Sequence, residues 1–115
     1  MFLTRKLKRD FFQMKIEWTE PALLDLENIR DYIRRDSEYY AARFAEKIIE
    51  AVGSLEKFPE MGRTVPEVEE ETIRELLLHN YRIIYCVEAD RILVLTVIHG
   101  ARDLSRKTAK PWDIT

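Results

Sequence analysis

Two histidines and two arginines flank the most apolar part of the sequence. The stretch "HNYRIIYCVEADRILVLTVIHGARD", residues 79–103, contains His79, Arg82, His99 and Arg102. Histidine titrates near neutral pH, and the planar guanidinium of arginine binds carboxylates and phosphates through paired hydrogen bonds. These side chains could therefore recognise an anion or a protein partner. The alternative is that they line a solvated face of a sheet.

A β-sheet must position these side chains. The sequences "TIRELLL", "YRIIYCVE" and "RILVLTVI" each predict a strand, and the "EAD" between the last two predicts a tight hairpin. Because the third strand is almost wholly apolar, we expect it to be central and covered on parts of both faces. An earlier short strand, "KIEW", places Ile16 and Trp18 on one face.

Two amphipathic helices separate the first strand from the other three. In "TEPALLDLENIRDYIRR", Thr19 is the expected N-cap, and apolar residues recur every three or four positions. A second helix with the same pattern follows, with Ser37 as its candidate cap. Their short connection predicts an antiparallel helical hairpin. The predicted fold is a compact α+β domain of order β-α-α-β-β-β, with the hairpin packed on one face of an antiparallel sheet.

Length and composition narrow the possible functions. The 115 residues suit one domain, and 21 acidic against 19 basic residues give no global positive field for nucleic acid. The single cysteine, Cys86, excludes an internal disulfide, fits a reducing compartment and is expected to be a small buried apolar residue. No apolar run is long enough to span a bilayer, and no signal peptide is evident. We therefore expect a cytoplasmic protein.

The regular pattern begins at Met14, so we expect residues 14–115 to form the domain and residues 1–13 to form an N-terminal extension. One interpretation is that the extension is non-native or disordered, since Met14 is a plausible alternative start of translation. The other is a short arm that covers an apolar groove. Its apolar side chains would be Phe2, Leu3, Leu7, Phe11 and Phe12.

Four segments, "IEWTEPALLDLENIRDYI", "FPEMGRTVPE", "IRELLLHNYRIIYCV" and "ILVLTVIHGARD", share an order and spacing that can be compared with known families. From Lys15 to about Arg106 the chain resembles the RelE/ParE superfamily of bacterial toxins from type II toxin–antitoxin modules. The resemblance implies the α+β fold that the helix and strand patterns also predict. It further implies a toxin that arrests growth and a cognate antitoxin that wraps and neutralises it.

Members of the RelE type cut messenger RNA on the ribosome. Such cleavage needs cations beside a general base and a general acid, because the 2′-hydroxyl loses a proton while the phosphate is neutralised. By resemblance, Arg82 matches the first arginine of this type and Arg102 the second. The positions of the lysines that this type usually has, however, fall near Ile73 and Glu75, and the position of its usual late tyrosine falls near Thr108. None of these is a lysine or a tyrosine in this chain. Glu75 would repel a phosphate.

A different nuclease site also follows from the resemblance, because some relatives pair a glutamate base with histidine and arginine. Glu75 would then be the base and His99 a second titratable group, with no metal or other cofactor. The structural alternatives are a hydrogen-bonded His99 at a strand end and an ion pair between Arg82 and Glu75 across the sheet. The candidate catalytic residues are thus Arg82, Arg102, His99 and Glu75.

ParE-type members inhibit DNA gyrase, a protein target, and need no residues that cut phosphate. The departures from the nuclease pattern favour this type. Candidate target-binding residues gather near the C-terminus, unless they form only a solvated tail: Arg106, Lys107 and Lys110. We therefore predict a ParE-like toxin that forms a hetero-oligomer with its antitoxin. The alternatives are a ribosome-dependent or free messenger RNA endoribonuclease and a non-toxic relative that binds antitoxin.

Substitutions of Arg82 can distinguish a residue that contacts the target from a residue that forms a structural ion pair. Strand alternation places it on the same face as Ile84 and Cys86, from which its guanidinium could reach a carboxylate, a phosphate or a carbonyl rim. We predict that Arg82 contacts the target, so that Arg82→Ala and Arg102→Ala weaken growth arrest and preserve the fold, and that Arg82→Lys recovers little. If Arg82 belongs to an ion pair, Arg82→Ala should mainly lower the melting temperature.

Overall fold

The helices and strands follow the order that the sequence predicts. The computed structural model describes residues 14–100. Among the helices of that part of the chain, none combines the length and apolar character needed to cross a lipid bilayer. The elements are β1 (Lys15–Trp18), α1 (Glu20–Arg34), α2 (Glu38–Gly53), a 3₁₀ helix (Ser54–Glu56), β2 (Arg63–Thr64), β3 (Ile73–Leu78), β4 (Tyr81–Val87) and β5 (Arg91–His99). The α+β class is confirmed, and the short strand β2 is added.

The strands of the described residues form one five-stranded sheet in the order β1-β5-β4-β3-β2. Strands β2 to β5 pair antiparallel, as the hairpin sequences predict. β1 instead pairs with β5 in parallel, so the sheet is mixed. Apolar alternation gives the face of each residue but not the direction of its strand, and the sequence therefore could not show this parallel pair.

Both helices begin at the predicted caps. The side-chain oxygen of Thr19 accepts a hydrogen bond from the backbone N–H of Ala22, and that of Ser37 accepts one from Tyr40. Thr19 also attaches α1 to the sheet, because its backbone N–H and its hydroxyl donate to the carbonyl of Val94 at 3.0 and 2.9 Å. The start of α1 is thus joined to the central strand.

Replacing Thr19 should therefore cost more than replacing Ser37. For Thr19→Ala we expect the free energy of unfolding to fall by about 2 kcal/mol, the upper end of the range for a lost cap. Ser37→Ala is the matched control, because it removes a cap bond within α2, to Tyr40. This substitution should cost about 1 kcal/mol or less. Urea unfolding measures both values. Equal losses would contradict a role for Thr19 beyond capping.

The helical hairpin covers one face of the sheet, and β5 is buried on both faces. Ala22 of α1 and the apolar stripe of α2 pack against Ile83 and Tyr85 of β4 and against β5. This arrangement matches the expected central position of the third predicted strand. The opposite face carries a second apolar cluster, formed by Val65, Ile73, Ile84, Leu93, Leu95 and Ile98.

A β-bulge interrupts the pairing of β4 with β5. The register shifts between Ile84 and Tyr85, and Leu95 is the residue that the pairing skips. Asp25 of α1 binds beside this bulge, accepting hydrogen bonds from the hydroxyl of Thr96 and from the next backbone N–H along β5. The bulge therefore gives helix α1 a second polar attachment to the central strand.

Candidate functional site

A cleft of about 480 Å³ lies where β3 turns into β4 and β5 ends. Three residues that the sequence singled out line it, namely His79, Arg82 and His99. Glu67, from the loop after β2, lines the same cleft, as does Leu77 of β3. Residues from four separate parts of the chain therefore meet at this end of the sheet.

Arg82 is buried, and its guanidinium lies between two carboxylates. Its Nε donates to Glu75 at 2.7 Å, and its two terminal nitrogens donate to the two carboxylate oxygens of Glu67 at 3.0 and 2.7 Å. Only 6% of the Arg82 side chain is exposed. Hydrogen bonding to Glu67, and then to Glu75, raises the pKa of Arg82 above its usual value despite burial, so the guanidinium remains charged.

Glu75 joins Arg82 to a second arginine. Its other carboxylate oxygen accepts a hydrogen bond from Nε of Arg63 at 2.6 Å. The Glu75 side chain is 0% exposed, whereas 57% of the Arg63 side chain is exposed. We call these four side chains, Glu67, Arg82, Glu75 and Arg63, the Arg82 network. Its two positive and two negative charges balance.

Strand register builds most of the Arg82 network. Arg63 of β2 lies directly opposite Glu75 of β3. Arg82 of β4 lies opposite Leu77, two residues from Glu75 along β3, and this diagonal is within reach of a long side chain. The ion pair expected as the structural alternative for Arg82 is therefore present. Glu67 was missed, because it lies in a loop and no sequence period assigns it a partner.

The two histidines occupy the ends of strands. His79 lies in the two-residue turn between β3 and β4 with φ of 53°, a left-handed conformation that is strained for a residue other than glycine and is enriched at functional sites. His99 ends β5 opposite Tyr81, and their rings meet edge to face with centroids 5.8 Å apart. Both histidines are exposed. The cleft is thus lined by two imidazoles and by an arginine whose positive charge is balanced by carboxylates.

The structure does not describe the remaining candidates from the sequence. Arg102, Arg106, Lys107, Lys110 and the position of Thr108 lie outside the described residues. Within residues 14–100, no group of three or more histidine, cysteine, aspartate or glutamate side chains could hold a metal ion. Cys86 is half-buried, and burial raises the pKa of its thiol, which agrees with a packing role.

Tyr85 is a buried polar residue that fixes the loop before β2, a role that strand alternation does not indicate. Its hydroxyl accepts a hydrogen bond from the backbone N–H of Gly62 and donates to the carbonyl of Pro59, both at 2.9 Å. Arg63 follows Gly62 directly, so these bonds also help to place the exposed end of the Arg82 network. Burial raises the pKa of Tyr85.

Replacing Tyr85 by phenylalanine should destabilise the protein and change its response to alkaline pH. Two backbone groups lose their partner, so we expect a loss of roughly 1–2 kcal/mol at neutral pH. An unfolded tyrosine titrates near pH 10 and folded Tyr85 titrates higher, so the unfolded chain releases its proton first and stability falls above about pH 10. Tyr85→Phe should remove this part of the decline.

Chemical denaturation between neutral pH and pH 11 measures both effects. Tyr40→Phe is the matched control, because Tyr40 is 66% exposed. It should leave both the neutral stability and the alkaline decline unchanged. A Tyr85→Phe protein that kept the full alkaline decline would contradict the assignment.

Residues 16–104 match the protein family described as "ParE toxin of type II toxin-antitoxin system, parDE". The chain is also similar to Toxin RelE2 of Caulobacter vibrioides, with 37% identity over 89 residues, covering 76% of this chain and 97% of that relative.

Two solved structures share the fold. One is described as the chromosomal ParDE toxin–antitoxin system from P. aeruginosa, and it aligns with a TM-score of 0.64 and 25% identity over 76% of this chain and 97% of the other. The other is the RelBE2 toxin–antitoxin complex from Mycobacterium tuberculosis, with a TM-score of 0.56 and 20% identity over 76% and 98% of the two chains. The second likeness concerns the fold alone.

Proposed function

Because the chain belongs to the ParE toxin family of type II toxin–antitoxin systems, we propose that it arrests bacterial growth by inhibiting DNA gyrase. In this proposal it acts in the cytoplasm, and a cognate antitoxin neutralises it by forming a hetero-oligomer. The observation that favours a protein target over RNA is the Arg82 network, in which the guanidinium of Arg82 is held by two carboxylates.

Cleavage of RNA needs a cation that can neutralise the phosphate under attack. Arg82 stands where RelE-type toxins have such an arginine, but Glu67 and Glu75 already balance its charge. A phosphate would have to displace Glu67 and then lie near the buried Glu75. The loop continues with three exposed acidic residues that add repulsion, Glu69, Glu70 and Glu71. Inhibition of a protein target requires no such cation.

The surface of the cleft suits contact with a protein. Leu77 is 56% exposed beside the charge-balanced Arg82 network and the two histidines. The buried centre of a protein interface is typically rich in apolar and aromatic side chains and carries little net charge. In this proposal the positively charged side chains that contact the target are those of the C-terminal basic residues, Arg106, Lys107 and Lys110.

The antitoxin is proposed from the family and from exposed apolar side chains on the helices. The ParDE and RelBE2 structures named above are described as a toxin–antitoxin system and a toxin–antitoxin complex. Leu23 and Leu24 of α1 and Ile49 of α2 are each more than half exposed. A disordered antitoxin segment could cover these side chains as it folds on the toxin.

Induced expression in bacteria, followed by two separate assays, tests the proposal. We expect growth arrest, inhibition of DNA supercoiling by purified gyrase, and intact messenger RNA, with growth restored by the antitoxin. Replacing Arg106, Lys107 and Lys110 together by glutamine should weaken the inhibition. Arg43→Gln with Lys57→Gln is the control, since both positions are exposed residues within the described chain.

Ribonuclease activity is the second candidate, favoured by the name of the Caulobacter relative and by the two histidines at the cleft. In it, Glu75 would act as base, with His99, Arg82 and Arg102 around the phosphate, and Glu67 would have to leave Arg82. Cleaved messenger RNA with active gyrase would select this candidate. Antitoxin binding without growth arrest would instead indicate a non-toxic relative.

A further inference from the structure

An apolar patch lies on the loop between the 3₁₀ helix and β2. Phe58 is 61% exposed and Met61 is 51% exposed. With Pro59 and Glu60 they line an open depression of about 600 Å³. Backbone hydrogen bonds order this loop, since the N–H of Met61 donates to the carbonyl of Phe58 at 3.0 Å. We call these four residues the Phe58 patch.

The chain enters the described fold beside this patch. The backbone N–H of Met14 donates to the carbonyl of Glu56 at 3.1 Å, and Glu56 precedes Phe58 by two residues. Met14 itself packs against the main apolar cluster. The point at which residues 1–13 join the described chain is therefore at the start of the loop that carries the Phe58 patch.

The composition of residues 1–13 complements the patch. Phe11 and Phe12 lie three and two residues before Met14. An extended chain spans at most about 3.3–3.6 Å per residue, so these two residues can lie up to roughly 7–11 Å from Met14, whose backbone is bonded to Glu56 at the start of the loop. The segment also carries four basic residues, Arg5, Lys6, Lys8 and Arg9, whose charge is opposite to that of the exposed carboxylates of Glu56 and Glu60.

We propose that residues 1–13 bind the Phe58 patch of the same chain, with Phe11 and Phe12 as the apolar contacts. A short tether gives the segment an effective concentration on the order of millimolar at the patch, far above that of a second copy in a dilute solution. The segment lies outside the residues that match the family, 16–104, so the contact is an addition to the family fold.

Methyl NMR of the full chain tests the contact. The sequence holds three methionines, Met1, Met14 and Met61, so methyl labelling gives few signals. We expect magnetisation transfer between the Met61 methyl and phenylalanine ring protons beyond those of Phe58. In the full-length double variant Phe11→Ser with Phe12→Ser, this transfer should be lost and the Met61 signal should shift.

Tyr39→Ser is the control, because it removes an equally exposed aromatic ring from α2. It should leave the Met61 signal in place. An unchanged Met61 signal in the double variant would overturn the proposal. So would transfer seen only between labelled and unlabelled molecules, which would assign the patch to a second copy. Neither result depends on growth arrest, so the contact and the proposed function are tested separately.

Discussion

Replacing Arg82 by alanine should lower the free energy of unfolding by about 3–5 kcal/mol, the cost of breaking a buried ion pair by removing one partner. The variant leaves Glu75 buried with one carboxylate oxygen no longer bonded to Arg82, and it leaves Glu67 without its paired hydrogen bonds to the guanidinium. Denaturant unfolding at neutral pH measures the loss. Arg82→Lys should recover only part of it, because an ammonium lacks the fork that serves both carboxylates.

Arg63→Ala is the matched control, because Arg63 binds the same carboxylate from an exposed position. This substitution also takes a bond from the buried carboxylate of Glu75, but it removes one bond rather than three and an exposed guanidinium rather than a buried one, so we expect a smaller loss of about 1–2 kcal/mol. Losses of equal size in the two variants would contradict the central role of Arg82. Growth arrest by Arg82→Ala should fall only as far as the folded fraction falls. A stable but harmless Arg82→Ala protein would instead indicate direct contact with the target.

Replacing Gly62 by alanine should cost about 3 kcal/mol, the upper part of the usual range for overpacking. A Cβ at this position would lie 2.5 Å from the backbone carbonyl oxygen of Glu75 and 2.6 Å from the hydroxyl of Tyr85. The carbonyl belongs to the backbone of β3 and cannot rotate away. The loop before β2 must therefore shift, and Arg63 would shift with it.

Gly53→Ala is the control for this substitution. Gly53 ends α2, and a Cβ there would meet no heavy atom within 4 Å. Alanine should stabilise the protein by about 0.4–1 kcal/mol, since it reduces the freedom of the unfolded chain. Thermal unfolding of the two variants should therefore shift in opposite directions. A melting temperature of Gly62→Ala at or above that of the parent would refute the predicted clash.

The sequence predicts well what depends on neighbouring residues. Thr19 and Ser37 were identified as caps because their side chains act within one helical turn. β5 was recognised as central because nearly every residue in it is apolar. The pairing of Arg82 with Glu75 was also anticipated, because adjacent antiparallel strands bring such residues onto one face.

Features that depend on distant residues could not be predicted in the same way. The bulge at Leu95 changes register where Asp25 of α1 meets β5, and no local pattern of β5 indicates a helix partner. Glu67 reaches Arg82 from a loop, and its neighbours in the acidic run make it look like a solvated residue. The charge balance at Arg82 decides how the candidate site is interpreted. It could therefore be recognised only from the three-dimensional structure.

The position of β5 sets the order in which the protein can be completed during its synthesis. β5 lies between β1 and β4, yet it is the last strand of residues 14–100 to be translated. Thr19 cannot form its hydrogen bond to Val94 until that residue, 75 positions further along the chain, has been synthesised. Such distant contacts close large loops and form slowly compared with local helices. The nascent chain can therefore form its helical hairpin early, but it can assemble the sheet and the cleft only after the ribosome has made residues 91–99.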